Sequence, residues 1–120
     1  MKVRAIDFVE LRVADMARAL RFYRDTLGMD FPLWDDAADW KEIQSPPVAL
    51  ALDRSGGATP GRVALALAVD DVAAAVEELR AKGVPILAEP EEGAVCSQAA
   101  IRAPDGNVLI LHKRKDGTAG

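Results

Sequence analysis

Two stretches of the chain repeat one arrangement of apolar and polar residues, and each has the features of a capped helix. Residues 15–28 are DMARALRFYRDTLG, and residues 70–83 are DDVAAAVEELRAKG. Each stretch follows an apolar run, begins at an Asp that can accept hydrogen bonds from a first helical turn, and ends at a Gly. The apolar stripes at helical spacing are Met16, Leu20, Tyr23 and Leu27 in the first stretch, and Val72, Val76 and Leu79 in the second. The pattern predicts helices over residues 16–27 and 71–82, within one supersecondary unit that occurs twice.

The first half also contains four segments typical of strands. Residues 3–13 alternate between two faces, with Phe8, Glu10 and Arg12 on one of them. The other predicted strands are residues 29–34, 39–44 and 48–52, of which the last is apolar throughout, as in a strand covered on both faces. The first half is therefore predicted to be a βαβββ module.

The same order of elements returns after a loop. Residues 53–62, DRSGGATPGR, are the most loop-like stretch and separate the two halves. Strands are predicted over residues 63–69, 84–87, 95–102 and 107–112, the second of them ended by Pro90. We therefore predict one domain over residues 1–120, with module one at about 1–54, a loop at 55–61, module two at about 62–113 and a loose tail at 114–120.

The composition is that of an ordinary globular protein with a small acidic surplus. The 120 residues include 15 Lys and Arg and 19 Asp and Glu, for a net charge of −4. With no long basic run, neither nucleic acid nor a membrane surface is an expected partner. Cys96 is the single cysteine, which excludes an internal disulfide and a zinc cluster built on cysteines. Because the N-terminus lacks the apolar core of a signal peptide, we expect a cytoplasmic protein.

Three segments give the chain a resemblance to a known superfamily. They are ELRVADMARALRFYRDTLGM, its repeat ALAVDDVAAAVEELRAKGV, and the closing APDGNVLILH. Together with the repeated βαβββ order, they resemble the vicinal oxygen chelate superfamily of glyoxalases, bleomycin-resistance proteins and extradiol dioxygenases. The resemblance implies an α+β fold in which two βαβββ modules form curled, mainly antiparallel sheets around a cavity. It also implies a homodimer, which would cover exposed strand edges.

The resemblance further assigns four inward positions, and none of them holds a metal ligand. Metal-dependent members place His, Gln or Glu at one position on the first and last strand of each module. The corresponding residues here are Phe8, Leu50, Ala64 and Ile110. Their side chains have no atom that coordinates a divalent metal ion. We therefore expect neither a metal ion nor another cofactor.

The strand faces that include these positions also include polar side chains. Glu10 shares a face with Phe8, and His112 shares one with Ile110. Apolar walls with a few polar groups are typical of a small-molecule pocket. The predicted ligand-binding residues, whose two tryptophans would stack on a planar ligand, are Phe8, Glu10, Trp34, Trp40, Glu42, Gln44, Cys96, Gln98 and His112.

Each candidate also has a purely structural interpretation. His112 is either an acid or base near carboxylates, or a solvated residue at the exposed end of the last strand. Glu10 is either a functional carboxylate or one half of an ion pair with Arg12. A displaced metal site of Glu10, Glu42 and His112 competes with coincidence. The tryptophans can be core or dimer contacts, and Cys96 is expected to be a small buried residue.

The predicted function is metal-independent binding of a small, planar or apolar organic molecule, similar to the drug-sequestering members of the superfamily. The alternative is a glyoxalase-type enzyme. It would be a lyase, isomerase or dioxygenase with atypical metal ligands, or a metal-free enzyme with Glu10 or His112 as acid or base. A structural protein with a vestigial pocket is a third interpretation, which explains the inward polar residues least well.

Overall fold

The fold is α+β, as predicted, with seven strands and two α-helices among the described residues. The computed structural model describes residues 1–32, 37–55, 61–104 and 106–119. The elements in chain order are β1 (Ala5–Arg12), α1 (Met16–Arg21), a π-helical segment (Phe22–Thr26), β2 (Trp40–Ile43), β3 (Ala49–Asp53), β4 (Val63–Ala68), α2 (Val72–Ala81), β5 (Ile86–Glu92), β6 (Cys96–Arg102) and β7 (Val108–Arg114). No helix in these described ranges is long and apolar enough to cross a membrane.

The chain divides into two compact units. The larger unit comprises residues 1–9 and 64–120, and the smaller unit comprises residues 10–63. The strand order in the larger unit is β1-β4-β7-β6-β5, and in the smaller unit β3 lies between β2 and β1. The first residues of β1 therefore belong to the larger unit and its last residues to the smaller one.

Strand pairing within the units is mainly antiparallel. In the larger unit β7 pairs antiparallel with β6, from Cys96 opposite Arg114 to Arg102 opposite Val108. On its other side β7 pairs parallel with β4. In the smaller unit β2 pairs antiparallel with β3. The order β4-α2-β5-β6-β7 is the predicted βαβββ sequence of elements.

The second predicted helix is confirmed nearly to the residue. The Asp71 side chain caps α2 by accepting a hydrogen bond of 2.9 Å from the Ala74 N–H. Gly83 has a φ of 82°, the left-handed conformation expected after the helix. One face of α2 packs on the sheet in a core of Val69, Val72, Ala75, Val76, Ala99, Ile101 and Leu111. The larger unit is built around this core.

The first predicted helix begins as expected and ends differently. The Asp15 side chain accepts a hydrogen bond of 3.0 Å from the Arg18 N–H, and Met16 and Leu20 are buried with Ile43 of β2. After Arg21 the helix widens, and Leu27 N–H donates to the carbonyl of Phe22, five residues back. The looser winding removes Leu27 from the apolar stripe, and it is 56 % exposed. The apolar stripe predicted for this helix therefore does not extend to Leu27.

The strand β5 is longer than predicted. Pro90 was expected to end it, but β5 continues to Glu92. Two features explain why Pro90 can lie within this strand. The strand lies at the end of the sheet in its unit, and its register with β6 shifts between Ile86 and Ala88 and between Ala88 and Glu91. A residue without an N–H is accepted at such an edge, where no ladder hydrogen bond is lost.

Two further expectations about the strands need correction. Residues 29–32 are not in a strand, and the rest of the strand predicted over 29–34 lies outside the described residues. The last strand extends to Arg114, beyond the predicted end at residue 112. The chain after it keeps hydrogen bonds, because Lys115 N–H donates to the Val95 carbonyl and Arg4 donates to the Gly117 carbonyl. The tail is therefore attached to the larger unit as far as residue 117.

Candidate functional site

The sheet of the larger unit has one apolar face and one face with polar side chains. Leu111 packs against α2 with its cross-strand partner Ala99. Because side chains alternate along a strand, Ile110 and His112 lie on the opposite face. The cross-strand partner of His112 on that face is Gln98. The predicted alternation in β7 is therefore confirmed.

Asp7, His112 and Arg114 form a buried cluster of ionisable side chains in this unit. His112 Nδ1 lies 2.7 Å from Asp7 Oδ2. Arg114 Nη1 lies 3.3 Å from Asp7 Oδ1, and Arg114 Nη2 donates to the Asp7 carbonyl at 3.2 Å. Asp7 is 0 % exposed and His112 is 5 % exposed. The cluster can hold the imidazole ring of His112 in one orientation.

Phe8 adds an aromatic contact to this cluster. Its ring packs against the His112 ring in a T-shaped arrangement, with centroids 5.1 Å apart and an interplanar angle of 85°. Phe8 is also buried. The residue at the first metal-ligand position of the resembled family is therefore an apolar neighbour of the histidine.

The burial of His112 overturns one of its two interpretations. A solvated residue at the end of the last strand was one expectation. The strand instead continues two residues beyond His112, to Arg114, and Asp7 pairs with the imidazole. The partner lies 105 residues away in the chain, which is why the local sequence pattern does not reveal it.

A second buried cluster, in the smaller unit, joins two carboxyl groups and an arginine. Arg12 Nε lies 2.7 Å from Glu10 Oε1, and Arg12 Nη1 lies 3.2 Å from Asp53 Oδ2. Asp53 Oδ1 accepts hydrogen bonds from the Ser55 N–H at 2.8 Å and from Ser55 Oγ at 2.6 Å. Glu10 is 4 % exposed. The ion pair of Glu10 with Arg12, one of the two sequence-based interpretations, is therefore present.

The two acids of this cluster have pKa values shifted in opposite directions, upward for Glu10 and downward for Asp53. Burial raises the pKa of Glu10 to about 7, and the hydrogen bond with Asp53 raises it as well, while Arg12 opposes the rise. Burial also disfavours ionisation of Asp53. The hydrogen bonds from Ser55 and Glu10, together with Arg12, outweigh that effect and hold the pKa of Asp53 below its ordinary value. Glu10 is thus the member of the pair that gains and loses a proton near neutral pH.

One oxygen of Glu10 lacks a hydrogen bond. Among the described residues, none donates a hydrogen bond to the buried Oε1 atom, since the close approach of Arg12 Nε does not have hydrogen-bond geometry. A buried oxygen without a donor disfavours the carboxylate form. This observation agrees with the raised pKa of Glu10.

The other predicted site residues lie in varied environments. Trp40 is at the start of β2 and 41 % exposed, Glu42 is half-buried on the same strand, and Gln44 is exposed after it. In the larger unit Cys96 is half-buried rather than buried, and Gln98 is exposed. Trp34 lies outside the described residues.

A displaced metal site of Glu10, Glu42 and His112 was the alternative to coincidence in their spacing. Within the described ranges of the chain, no three His, Cys, Asp or Glu side chains are grouped so as to hold a metal ion. Glu10 is instead paired with Arg12 and Asp53, and His112 with Asp7. The two residues therefore belong to separate clusters, in different units.

A groove of about 530 Å³ lies elsewhere in the larger unit. It is bordered by the first residues of α2 and by β5, β6 and β7, and its lining includes Asp71, Glu92, Ser97 and Lys113. None of the predicted ligand-binding residues lines this groove. Its lining includes both acidic and basic side chains and does not coincide with either cluster.

Sequence reasoning did not single out four residues that form the clusters. They are Asp7, Asp53, Ser55 and Arg114. One signal for Asp7 is present in the sequence, because it is a carboxylate within the strand segment AIDFV and a buried carboxylate needs a partner. The other three lie in segments that the sequence pattern predicts to be a loop or the tail.

A family model and a known protein match most of the chain. The model of the Glyoxalase/Bleomycin resistance protein/Dioxygenase superfamily matches residues 5–111. The chain is 24% identical to a probable lactoylglutathione lyase of Vibrio parahaemolyticus, with 92% of this chain and 91% of that protein covered.

Solved structures show the same fold. The structure of methylmalonyl-CoA epimerase from Mycobacterium tuberculosis is similar with a TM-score of 0.67 and 25% identity, covering 93% of this chain and 89% of that one. A Streptomyces coelicolor methylmalonyl-CoA epimerase is similar with a TM-score of 0.71 and 18% identity, covering 99% and 100%. The similarity therefore extends over nearly the whole of each chain.

Proposed function

Because the chain belongs to the Glyoxalase/Bleomycin resistance protein/Dioxygenase superfamily, we propose that it binds a small, planar or apolar organic molecule without a metal ion. One observation supports the proposal above others. The four positions at which metal-dependent members place ligands hold Phe8, Leu50, Ala64 and Ile110, which are hydrocarbon side chains. Such side chains suit an apolar ligand and cannot bind a metal ion.

Within each unit, polar and aromatic residues of the predicted site are the proposed ligand contacts. Trp40 is 41 % exposed, and an indole ring stacks well on planar molecules. Glu42 and Gln44 follow it in the smaller unit, while Gln98 and His112 are cross-strand neighbours in the larger one. Sequestration of a drug-like compound is one form of this activity.

Thermal shift tests the proposal most simply. Planar aromatic natural products are added to protein purified without a chelator, and a compound that binds the folded state must raise the Tm. Trp40→Ala is expected to reduce the shift. Phe22→Ala, which removes another exposed aromatic side chain of the smaller unit, is the matched control and is expected to leave the shift unchanged.

Two results would contradict this proposal. One is the absence of any Tm shift across the compound classes. The other is stoichiometric zinc, nickel, manganese or iron in the purified protein that is lost on changing Glu10 or His112 to Ala. Metal analysis of the same preparation supplies the second measurement.

A metal-free acid–base enzyme is a second candidate, which the raised pKa of Glu10 favours. A carboxyl group that exchanges its proton near pH 7 is suited to removing a proton from carbon and returning it. Lactoylglutathione and methylmalonyl-CoA, named in the relatives, are the first compounds to test. Deuterium uptake from D₂O that is present in wild type and lost in Glu10→Gln would support the enzyme, and no uptake in wild type would exclude it for these compounds.

The proposal includes a homodimer in the cytoplasm. Both β5 and β2 lie at the end of the strand order in their units, and end strands have unpaired backbone groups that a second copy can cover. Light scattering on the purified protein is expected to give twice the chain mass, and a mass of one chain would contradict the dimer.

A further inference from the structure

We infer that Asp7 and Arg114 fix the imidazole of His112 so that its Nε2 atom accepts a hydrogen bond from a ligand hydroxyl group. The inference rests on the proposed binding function and specifies the ligand class as a molecule with a phenol-like or enol-like O–H on a planar, apolar body. Asp7 and Arg114 are positioning residues, because they act on the ligand through His112.

The proton of His112 is located by the chemistry of Asp7. The carboxylate of Asp7 faces the guanidinium of Arg114 at 3.3 Å and the His112 Nδ1 atom at 2.7 Å. An ionised carboxylate only accepts hydrogen bonds, so Nδ1 must be the donor. A neutral imidazole has one N–H group, and with that proton on Nδ1 the Nε2 atom has a free lone pair.

The contacts also fix the orientation of the ring. Phe8 packs edge to face against it, and Asp7 is itself held at the carbonyl by Arg114 Nη2 at 3.2 Å. With Asp7 fully buried and His112 nearly so, rotation of the imidazole would break a buried hydrogen bond. The acceptor atom is therefore preorganised, which reduces the entropy lost when a ligand binds.

The remaining polar atom of the ring is available to a ligand. The hydrogen bond of His112 uses Nδ1. The pair with Asp7 leaves Nε2 as the ring nitrogen that a ligand can use, and His112 keeps 5 % exposure. Its neighbours on this face of the sheet include Ile110 on the same strand and Gln98 across from it. An apolar body with one hydroxyl group matches these neighbours better than a charged molecule does.

The chain offers a direct spectroscopic test, since His112 is its single histidine. The full chain is labelled with ¹⁵N-histidine and two-bond ¹⁵N–¹H correlation spectra are recorded at pH 8.5. We expect the form with the proton on Nδ1 and none on Nε2. A spectrum in which Nε2 is protonated would overturn the inference and would leave the proposed binding function untouched.

The ligand class is tested with phenol and anisole, which differ in the hydroxyl hydrogen. Phenol is expected to bind about tenfold more tightly than anisole and to move the Nε2 signal, because anisole cannot donate the hydrogen bond. Equal affinities, with no movement of the Nε2 signal, would overturn the inference alone. If neither compound binds, the inference and the proposed aromatic ligand both fail.

Variants test whether Asp7 positions the His112 ring or only stabilises the fold. Asp7→Asn is expected to lower the Nδ1-protonated fraction and to reduce the preference for phenol over anisole. Asp70→Asn, which changes an exposed acid paired with Arg4 in the same unit, is expected to change neither. An Asp7→Asn protein that folds and keeps the wild-type proton position would contradict the positioning role. Should it not fold, the wild-type spectrum still decides.

Discussion

The two buried acidic clusters of this chain begin on the same strand, β1, and differ in their third member. In the smaller unit, Glu10 and Asp53 share the guanidinium of Arg12. In the larger unit, the single carboxylate of Asp7 faces two nitrogen groups, those of Arg114 and His112. The first cluster joins two acidic groups to one arginine, whereas in the second one carboxylate lies close to an arginine and a histidine.

The role of a buried carboxylate beside an arginine depends on the third group in the cluster. Where a second acid is added, burial and the hydrogen bond to Asp53 outweigh Arg12, and the pKa of Glu10 rises to about 7. Where an imidazole is added, the carboxylate becomes a partner that orients the ring. We infer a proton-exchanging pair in one unit and a positioned histidine in the other.

The largest effect is expected from removing the carboxylate of the second cluster. Asp7→Ala leaves Arg114 and His112 without their buried partner, and the predicted loss is about 3–5 kcal/mol in the free energy of unfolding. Urea denaturation at pH 7 measures it. Asp70→Ala, whose exposed carboxylate pairs with Arg4, is the control and is expected to cost less than about 1 kcal/mol. Equal losses for the two variants would refute the buried pairing.

The next expected effect is a pH dependence of the free energy of unfolding that comes from Glu10 in the first cluster. The pKa of Glu10 rises from 4.5 to about 7 on folding, so the folded state binds the proton more tightly. The stability from this group is fully present below pH 4.5 and is lost as the pH rises through 7, by about 3 kcal/mol. Glu10→Gln imitates the protonated form and is expected to be more stable than wild type above pH 8, and similar to it at pH 4.

The measurement is a series of urea denaturation curves between pH 4 and pH 9. Glu91→Gln, at an exposed position of β5, is the matched control and is expected to follow the wild-type pH profile. If Glu10→Gln also follows that profile, then Glu10 does not gain a proton on folding.

A smaller effect is expected from the hydroxyl group that supports Asp53. Ser55→Ala removes the 2.6 Å hydrogen bond from Oγ while the N–H contact stays, with an expected loss of about 1 kcal/mol in the free energy of unfolding at pH 7. Ser97→Ala is the control, because that hydroxyl donates to the exposed Glu92. A cost for Ser55→Ala no larger than for Ser97→Ala would show that Asp53 does not need this donor.

Local features of the fold were predictable from the sequence. The caps Asp15 and Asp71 act on N–H groups three residues away, so the signal and the structure lie within one turn of helix. The widening of the first helix after Arg21 has no such signal, and it is the reason that Leu27 is misplaced. Pro90 gave a misleading signal, since its effect depends on the position of β5 in the sheet.

The clusters were less predictable because their members are distant in sequence. The pair of Glu10 and Arg12 lies two residues apart on one strand and was found as an alternative. Asp53 begins the segment that the sequence predicts to be a loop, so the pattern gives no sign of its hydrogen bond with Glu10. The contact of Asp7 with His112 depends on which strands are neighbours, and residue spacing does not contain that information.

Glu10 lies in a buried cluster of this scaffold and is expected to exchange its proton near neutral pH. The most direct measurement is a ¹³C NMR titration of the Glu10 side-chain carboxyl group, assigned by comparison with Glu10→Gln. We expect a midpoint near pH 7, well above the ordinary 4.5 of a glutamate. A midpoint near 4.5 would contradict it.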